Sequence, residues 1–153
     1  MTHERLLVPI SPDYASAIGL AVYCFARLEW HAIWCCERIE PGSLNELEDR
    51  TAGQVADTLL HLVEGLGGSD EEQDLKDAAA DFRALVGTRN NLVHAKPGTS
   101  IDGEQALYRH GDQWLLSELA SVADAFARCS TRLNRALQGL LDGEKRKPVP
   151  NKR

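Results

Sequence analysis

Three side chains in one short segment, Arg89, Asn90 and His94, are of the types that act on phosphate esters. Arginine presents a planar fork of N–H donors that matches phosphate oxygens. Histidine titrates near neutral pH and can move a proton, and an asparagine amide can orient a hydroxyl or a phosphate oxygen. No carboxylate cluster accompanies them, so the trio suits attack on a phosphodiester without a metal ion. In RNA the nucleophile would be the neighbouring 2′-hydroxyl, with His94 as general base or acid and Arg89 stabilising charge on the phosphate.

The spacing of these residues predicts where they point on a helix. Asn90 and His94 are four residues apart, so they lie on one face. Arg89 lies roughly 140° from His94 around a regular helix, and we expect its long side chain, with fraying before Pro97, to bring the two groups together. Arg89 falls on the apolar side of the helix, where an arginine must extend to solvent, pair or face a cleft. Glu29 also interrupts an apolar stripe and is the expected partner.

Apolar periodicity predicts that long helices position these residues. A Ser or Thr followed three residues later by Glu or Gln fits the capping-box pattern at three helix starts, Ser43 with Glu46, Thr51 with Gln54 and Ser69 with Glu72. Ser117 is the expected cap of the last helix. A shorter helix precedes the second long one, and residues 107–115 suit a short hairpin. The predicted long helices span about residues 14–39, 51–66, 70–95 and 117–141. We therefore predict an all-α, up-down bundle of four to five helices, with a short β-hairpin before the last helix.

The 153 residues suffice for one hydrophobic core. We expect an irregular lead-in over residues 1–13, a single helical domain over residues 14–141 and a disordered basic tail over residues 142–153. The last ten residues hold five of the 17 basic residues and one of the 23 acidic ones, so the body of the chain is acidic. An acidic body argues against avid, non-specific binding to nucleic acid but leaves room for a small basic site.

Cysteine usage and hydropathy predict a soluble, cytoplasmic protein with no membrane partner. The four cysteines include no C-x-x-C pair, which favours buried free thiols in a reducing compartment. The opening residues do not resemble a secretion signal, and no stretch approaches the ~20 apolar residues that span a bilayer. No Glu-x-x-His pair and no ligand-like histidine spacing occurs, so a metal enzyme is disfavoured and neither metal nor cofactor is expected.

The pattern Arg89-Asn90-x-x-x-His94, on the penultimate long helix of a small helical bundle, resembles the HEPN domain (higher eukaryotes and prokaryotes nucleotide-binding). The resemblance covers most of residues 14–141. It implies a metal-independent endoribonuclease that cleaves RNA as a homodimer whose two motifs form one cleft, as in toxin–antitoxin and phage-defence systems. It makes Arg89, Asn90 and His94 the catalytic residues and Glu29 the supporting polar residue of the first helix. An antitoxin or a regulatory protein would be a further partner.

Departures from the family keep a second hypothesis open. Lys96 stands where some family toxins carry a tyrosine that their antitoxin modifies, so that form of control is not expected. Many HEPN domains are non-catalytic, and the alternative here is a helical dimer that binds nucleotide, RNA or a partner protein. The first helix supports it, because Tyr23, Trp30 and Trp34 form a second apolar stripe outside the main one. Arg89 and His94 would then be a salt-bridged arginine and a helix-capping histidine.

Overall fold

A computed structural model describes residues 3–143 and confirms the predominantly α-helical bundle with a hairpin before the last helix. A short 3-10 helix, Glu4–Leu7, lies in the lead-in. The predicted basic tail lies outside the described residues from residue 144 onward. The elements are α1 (Pro12–Ile39), α2 (Ser43–Leu47), α3 (Ala52–Glu64), α4 (Asp70–Val93), β1 (Lys96–Thr99), β2 (Gln105–Arg109), β3 (Asp112–Gln113) and α5 (Leu116–Gln138).

Side-chain caps begin three of the helices. The Ser11 hydroxyl accepts a hydrogen bond from the Tyr14 N–H at 3.2 Å, and Pro12 occupies the first helical turn, where its missing N–H costs nothing. Helix α1 therefore begins two residues before the predicted start, and Pro12 belongs to the helix instead of the lead-in. Two of the three predicted capping boxes are formed, by Thr51 with Gln54 and by Ser69 with Glu72. The third prediction, Ser43 with Glu46, was wrong, because the N-cap of α2 is Gly42, which has no side chain to cap that helix.

Three phenylalanine rings join α1, α4 and α5 at the centre of the core. The Phe25 ring of α1 packs edge-on against Phe126 of α5, with centroids 5.1 Å apart, and lies 6.2 Å from Phe82 of α4. Helix α1 packs most extensively along α5, and α3 covers the C-terminal half of α1 and the N-terminal half of α4. This arrangement puts α1 against every other long helix, so residues on α1 can meet groups from α4.

Helix α3 is too short to cover the whole of α4. It has 13 residues and α4 has 24, which at 1.5 Å per residue is roughly 20 Å against 36 Å. The short connection between Glu64 and Asp70 places the end of α3 beside the start of α4, so the C-terminal half of α4 extends beyond α3. Val22 of α1 and Val93 of α4 are 47% and 46% exposed there. Apolar periodicity predicts that both residues lie on the inner stripes of their helices. That prediction was wrong, because no helix within residues 3–143 covers them.

We call this uncovered surface the α1–α4 face, and it comprises Val22, Phe25 and Glu29 of α1 with Arg89 and Val93 of α4. Val22 and Glu29 lie one turn either side of Phe25 on α1. Arg89 contacts the Phe25 ring, and Val93 follows Arg89 by one turn of α4. The motif-bearing part of α4 therefore borders a surface that is partly apolar and open.

The strands form one antiparallel sheet in the order β1-β2-β3 directly after α4. The Tyr14 hydroxyl donates to the Trp114 carbonyl at 2.6 Å and accepts from the Leu107 N–H at 3.0 Å, which fixes the sheet to the start of α1. The predicted cap at Ser117 was wrong: α5 begins at Leu116, and the backbone N–H of Leu115 donates to the Glu118 carboxylate at 2.8 Å. Over residues 3–143, no helix combines the length and apolarity needed to cross a bilayer.

Candidate functional site

Arg89 lies on the side of α4 that faces α1. Its guanidinium carbon lies 4.9 Å from the centroid of the Phe25 ring, within the range of a cation–π contact. One turn earlier Val86 is buried, and one turn later Val93 is exposed, so Arg89 sits where α4 emerges from the core. The residue is accordingly half-buried. Phe25 thus acts as a rigid platform under the guanidinium, a role that the sequence analysis missed.

Within residues 3–143 the guanidinium of Arg89 has no hydrogen-bond acceptor. Among the described residues no carboxylate oxygen lies within 4.0 Å of it, and its Nε is buried without a hydrogen-bond partner. An unsatisfied buried donor costs about 1–3 kcal/mol. The purely structural alternative, a salt-bridged arginine, is therefore not what the structure contains.

Glu29 lies close enough to Arg89 for an electrostatic interaction but does not form an ion pair with it. It follows Phe25 by one turn of α1 and is half-buried. Burial raises the pKa of the Glu29 carboxyl, and the positive charge of Arg89 lowers it by less. The expected ion pair is therefore a longer-range attraction, which leaves the guanidinium N–H groups available to another acceptor.

His94 ends α4 as its C-cap and is exposed. Its backbone N–H donates to the Asn90 carbonyl at 3.0 Å, so the helix is regular to its end and does not fray before Pro97. The imidazole forms no hydrogen bond within residues 3–143, so it does not cap the helix through its side chain. The structural alternative of a helix-capping histidine is thus met by the main chain of His94, whereas its imidazole has no role in the cap.

The regular helix brings Asn90 and His94 to one face and directs Arg89 elsewhere. The angle between Arg89 and His94 stays roughly 140° on an unfrayed helix, and in the described part of the chain no hydrogen bond joins the three side chains. Arg89 faces α1, whereas His94 lies beside the start of the sheet. The assignment of these residues to one site stays a prediction. Within a single chain, the three side chains are not arranged so that all of them could contact one phosphate group.

Three of the four cysteines are placed as poor nucleophiles. Cys35, Cys36 and Cys129 are buried, and residues 3–143 contain no disulfide. Burial raises the pKa of the Cys36 thiol to about 12 and that of Cys129 to about 11, so neither forms the reactive thiolate at neutral pH. The described residues also include no group of three or more His, Cys, Asp or Glu side chains arranged to hold a metal ion.

No protein-family model, curated protein or solved structure matches this chain. The geometry around Arg89 and His94 is therefore the observation on which any functional assignment rests.

Proposed function

We propose that this chain is a metal-independent endoribonuclease of the HEPN type that cleaves RNA as a homodimer. The observation that carries the proposal is the unpaired guanidinium of Arg89, held over Phe25 on an open, partly apolar face. The Nε is buried without an acceptor, and the terminal N–H groups have no hydrogen-bond partner within residues 3–143, so these terminal groups can take a ligand as acceptor. A phosphate group supplies two oxygens in the geometry of the guanidinium fork.

The reaction needs one base and one acid. The base removes the proton of the 2′-hydroxyl, whose oxygen attacks the adjacent phosphorus while the bond from phosphorus to the 5′-oxygen breaks. The acid returns a proton to that leaving oxygen, and the products are a 2′,3′-cyclic phosphate and a 5′-hydroxyl. His94 is suited to either step, and two copies of the chain supply one imidazole for each. Arg89 would hold the non-bridging oxygens and Asn90 would orient the attacking hydroxyl.

A homodimer through the α1–α4 face fits the exposure of that face. Val22 and Val93 are both nearly half exposed beside Arg89, and a second copy would remove them from water. The same contact would bring two copies of α4 together. Arg89 of one copy could then lie near His94 of the other, although the two side chains point apart within one chain. An antitoxin or a regulatory protein that covered this face would block the site, and RNA in the cytoplasm would be the substrate.

RNA cleavage by the purified chain in EDTA tests the proposal. Arg89→Ala is expected to slow cleavage by roughly 10²–10³-fold and His94→Ala by roughly 10²–10⁴-fold. Two controls match them: Arg83→Ala removes an exposed arginine of the same helix, and His61→Ala removes an exposed histidine of α3. Intact RNA after incubation with the wild-type chain, or equal cleavage by His94→Ala, would contradict the proposal.

A non-catalytic dimer that binds nucleotide, RNA or a partner protein is the second candidate. It is favoured by the outer stripe of α1, where Tyr23 is 64% and Trp30 is 43% exposed. Trp30 packs edge-on against Trp34 with centroids 6.1 Å apart, a geometry common in protein contacts. In this case His94→Ala leaves activity in cells unchanged, whereas Trp30→Ser lowers the dimer fraction measured by analytical ultracentrifugation.

A further inference from the structure

A second polar cleft lies beside the end of α4, on the hairpin side. Its volume is about 230 Å³, and it opens between the β2–β3 hairpin, the last turn of α4 and the first turn of α5. Arg109, His110 and Gln113 line it from the hairpin, and Asn91 lines it from α4. The indole of Trp114 is held at its wall, because its Nε1–H donates to the Asn91 carbonyl at 3.4 Å.

Arg109 carries the clearest sign of a missing ligand in this cleft. Its Nε is buried and has no hydrogen-bond partner within residues 3–143. Asp112 is its register partner across the hairpin and also lines the cleft, yet the two side chains do not form an ion pair within 4.0 Å. Folded proteins rarely leave a buried donor unmet. No hydrogen bond or ion pair within residues 3–143 occupies the guanidinium of this cleft-lining residue, so its remaining N–H groups can take an acceptor from outside the chain.

The turn beside Arg109 places an imidazole at the cleft. His110 has φ 52° and Gly111 has φ 86°, so both central residues of this two-residue hairpin turn are left-handed, as in the favoured hairpin turns. Histidine, like asparagine and aspartate, is enriched in that conformation among residues other than glycine. The exposed His110 side chain lines the same cleft as Arg109. The hairpin therefore presents an arginine and an imidazole to one cleft.

We infer that the cleft binds one nucleotide of an RNA strand, next to the phosphate that is cleaved. Arg109 and His110 would hold a phosphate, and Trp114 would contact the base, since aromatic rings and arginine planes are the usual supports for unstacked RNA bases. The amides of Asn91 and Gln113 would hydrogen-bond the base edge.

The link to catalysis rests on the proposed function. Asn91 and His94 are three residues apart on α4, which puts their Cβ atoms about 5–6 Å apart on the helix surface. A strand seated in the cleft would therefore run past the imidazole. Asp112 and Glu118 also line the cleft, and their charges disfavour several phosphates at once, so a single nucleotide fits better than a duplex backbone.

Binding of a fully 2′-O-methylated single-stranded RNA to the full chain tests this inference, because that probe lacks the nucleophile and separates binding from cleavage. Fluorescence anisotropy should show about tenfold weaker binding for Arg109→Gln, the loss of one charge-assisted contact. The slope of log affinity against log salt should become shallower by about 0.7. Asn91→Asp, on a different element, should also weaken binding because it adds a negative charge beside the phosphate. Arg83→Gln, the matched control outside the cleft, should bind like the wild type.

The outcomes separate this inference from the proposed function. Weaker binding by Arg109→Gln or by Asn91→Asp, with circular dichroism confirming that the variant is folded, supports the cleft even if unmodified RNA is never cut. Cleavage of unmodified RNA with no effect of either variant on binding overturns the cleft and leaves the ribonuclease proposal standing. No binding of the methylated strand by the wild type also overturns the cleft. If the wild type binds free nucleoside 5′-monophosphates but not the methylated strand, the inference that the cleft holds a nucleotide of an RNA strand is overturned.

Discussion

Replacing Arg89 by methionine tests whether this arginine serves to bind a ligand or to stabilise the fold. The replacement removes the cation–π contact with Phe25, worth about 0.5–2 kcal/mol. It also removes the unsatisfied Nε, which costs about 1–3 kcal/mol, and it adds a thioether–ring contact of about 0.3–1.5 kcal/mol. The free energy of unfolding should therefore stay within about 1 kcal/mol of the wild-type value or rise, as expected for a residue whose role is functional.

If the proposed function holds, the same variant should lose RNA cleavage by roughly 10²–10³-fold, because the proposed contact between Arg89 and the phosphate would be lost. Urea unfolding followed by tryptophan fluorescence and circular dichroism gives the stability, and the initial rate of RNA cleavage in EDTA gives the activity. Arg83→Met is the control, since Arg83 forms an exposed ion pair with Asp57 at 2.9 Å, worth about 0–1 kcal/mol, away from the site. A loss of 3 kcal/mol or more for Arg89→Met, the size of a broken buried ion pair, would refute the reasoning.

Three further predictions concern the scaffold. Burial lowers the pKa of His31, whose Nδ1 lies 2.6 Å from the Ser130 Oγ. Because the unfolded chain then binds the proton more readily than the folded chain, the melting temperature should fall as the pH is lowered from ~7.5 to ~5.5. His31→Gln should reduce that fall. Burial raises the pKa of Glu29, so the folded state loses stability as pH rises above the ordinary glutamate value, and Glu29→Gln should unfold at higher urea than the wild type near pH ~7 but not near pH ~4. Ser69→Ala removes a capping box and should cost about 1 kcal/mol in urea unfolding without slowing RNA cleavage.

The helices were predictable because their signals are local. Ser69 and Glu72 form the expected capping box, and the two-residue turn at His110 and Gly111 forms within the expected hairpin. Val22 and Val93 were misplaced for a different reason. Apolar periodicity gives the direction of a side chain around its own helix, but the residue is buried only if another element reaches it, and α3 ends too early.

The direction in which Arg89 points could be predicted from the sequence, but the residue that it contacts could not. The angle of Arg89 on α4 correctly turned it toward α1, because that angle follows from helix geometry alone. Its contact with Phe25 instead of Glu29 depends on how two helices from distant parts of the chain are offset along their axes. The cleft at Arg109 depends in the same way on how a hairpin seats against the end of α4, and no local pattern encodes that fit.

The chemistry of the RNA ends tests the central claim most directly. Cleavage by the wild-type chain in EDTA should leave a 2′,3′-cyclic phosphate on one fragment and a 5′-hydroxyl on the other, with neither end formed by His94→Ala. Ends carrying a 3′-hydroxyl and a 5′-phosphate, or cleavage that requires a divalent cation, would contradict it, because attack would then come from water activated by a metal ion.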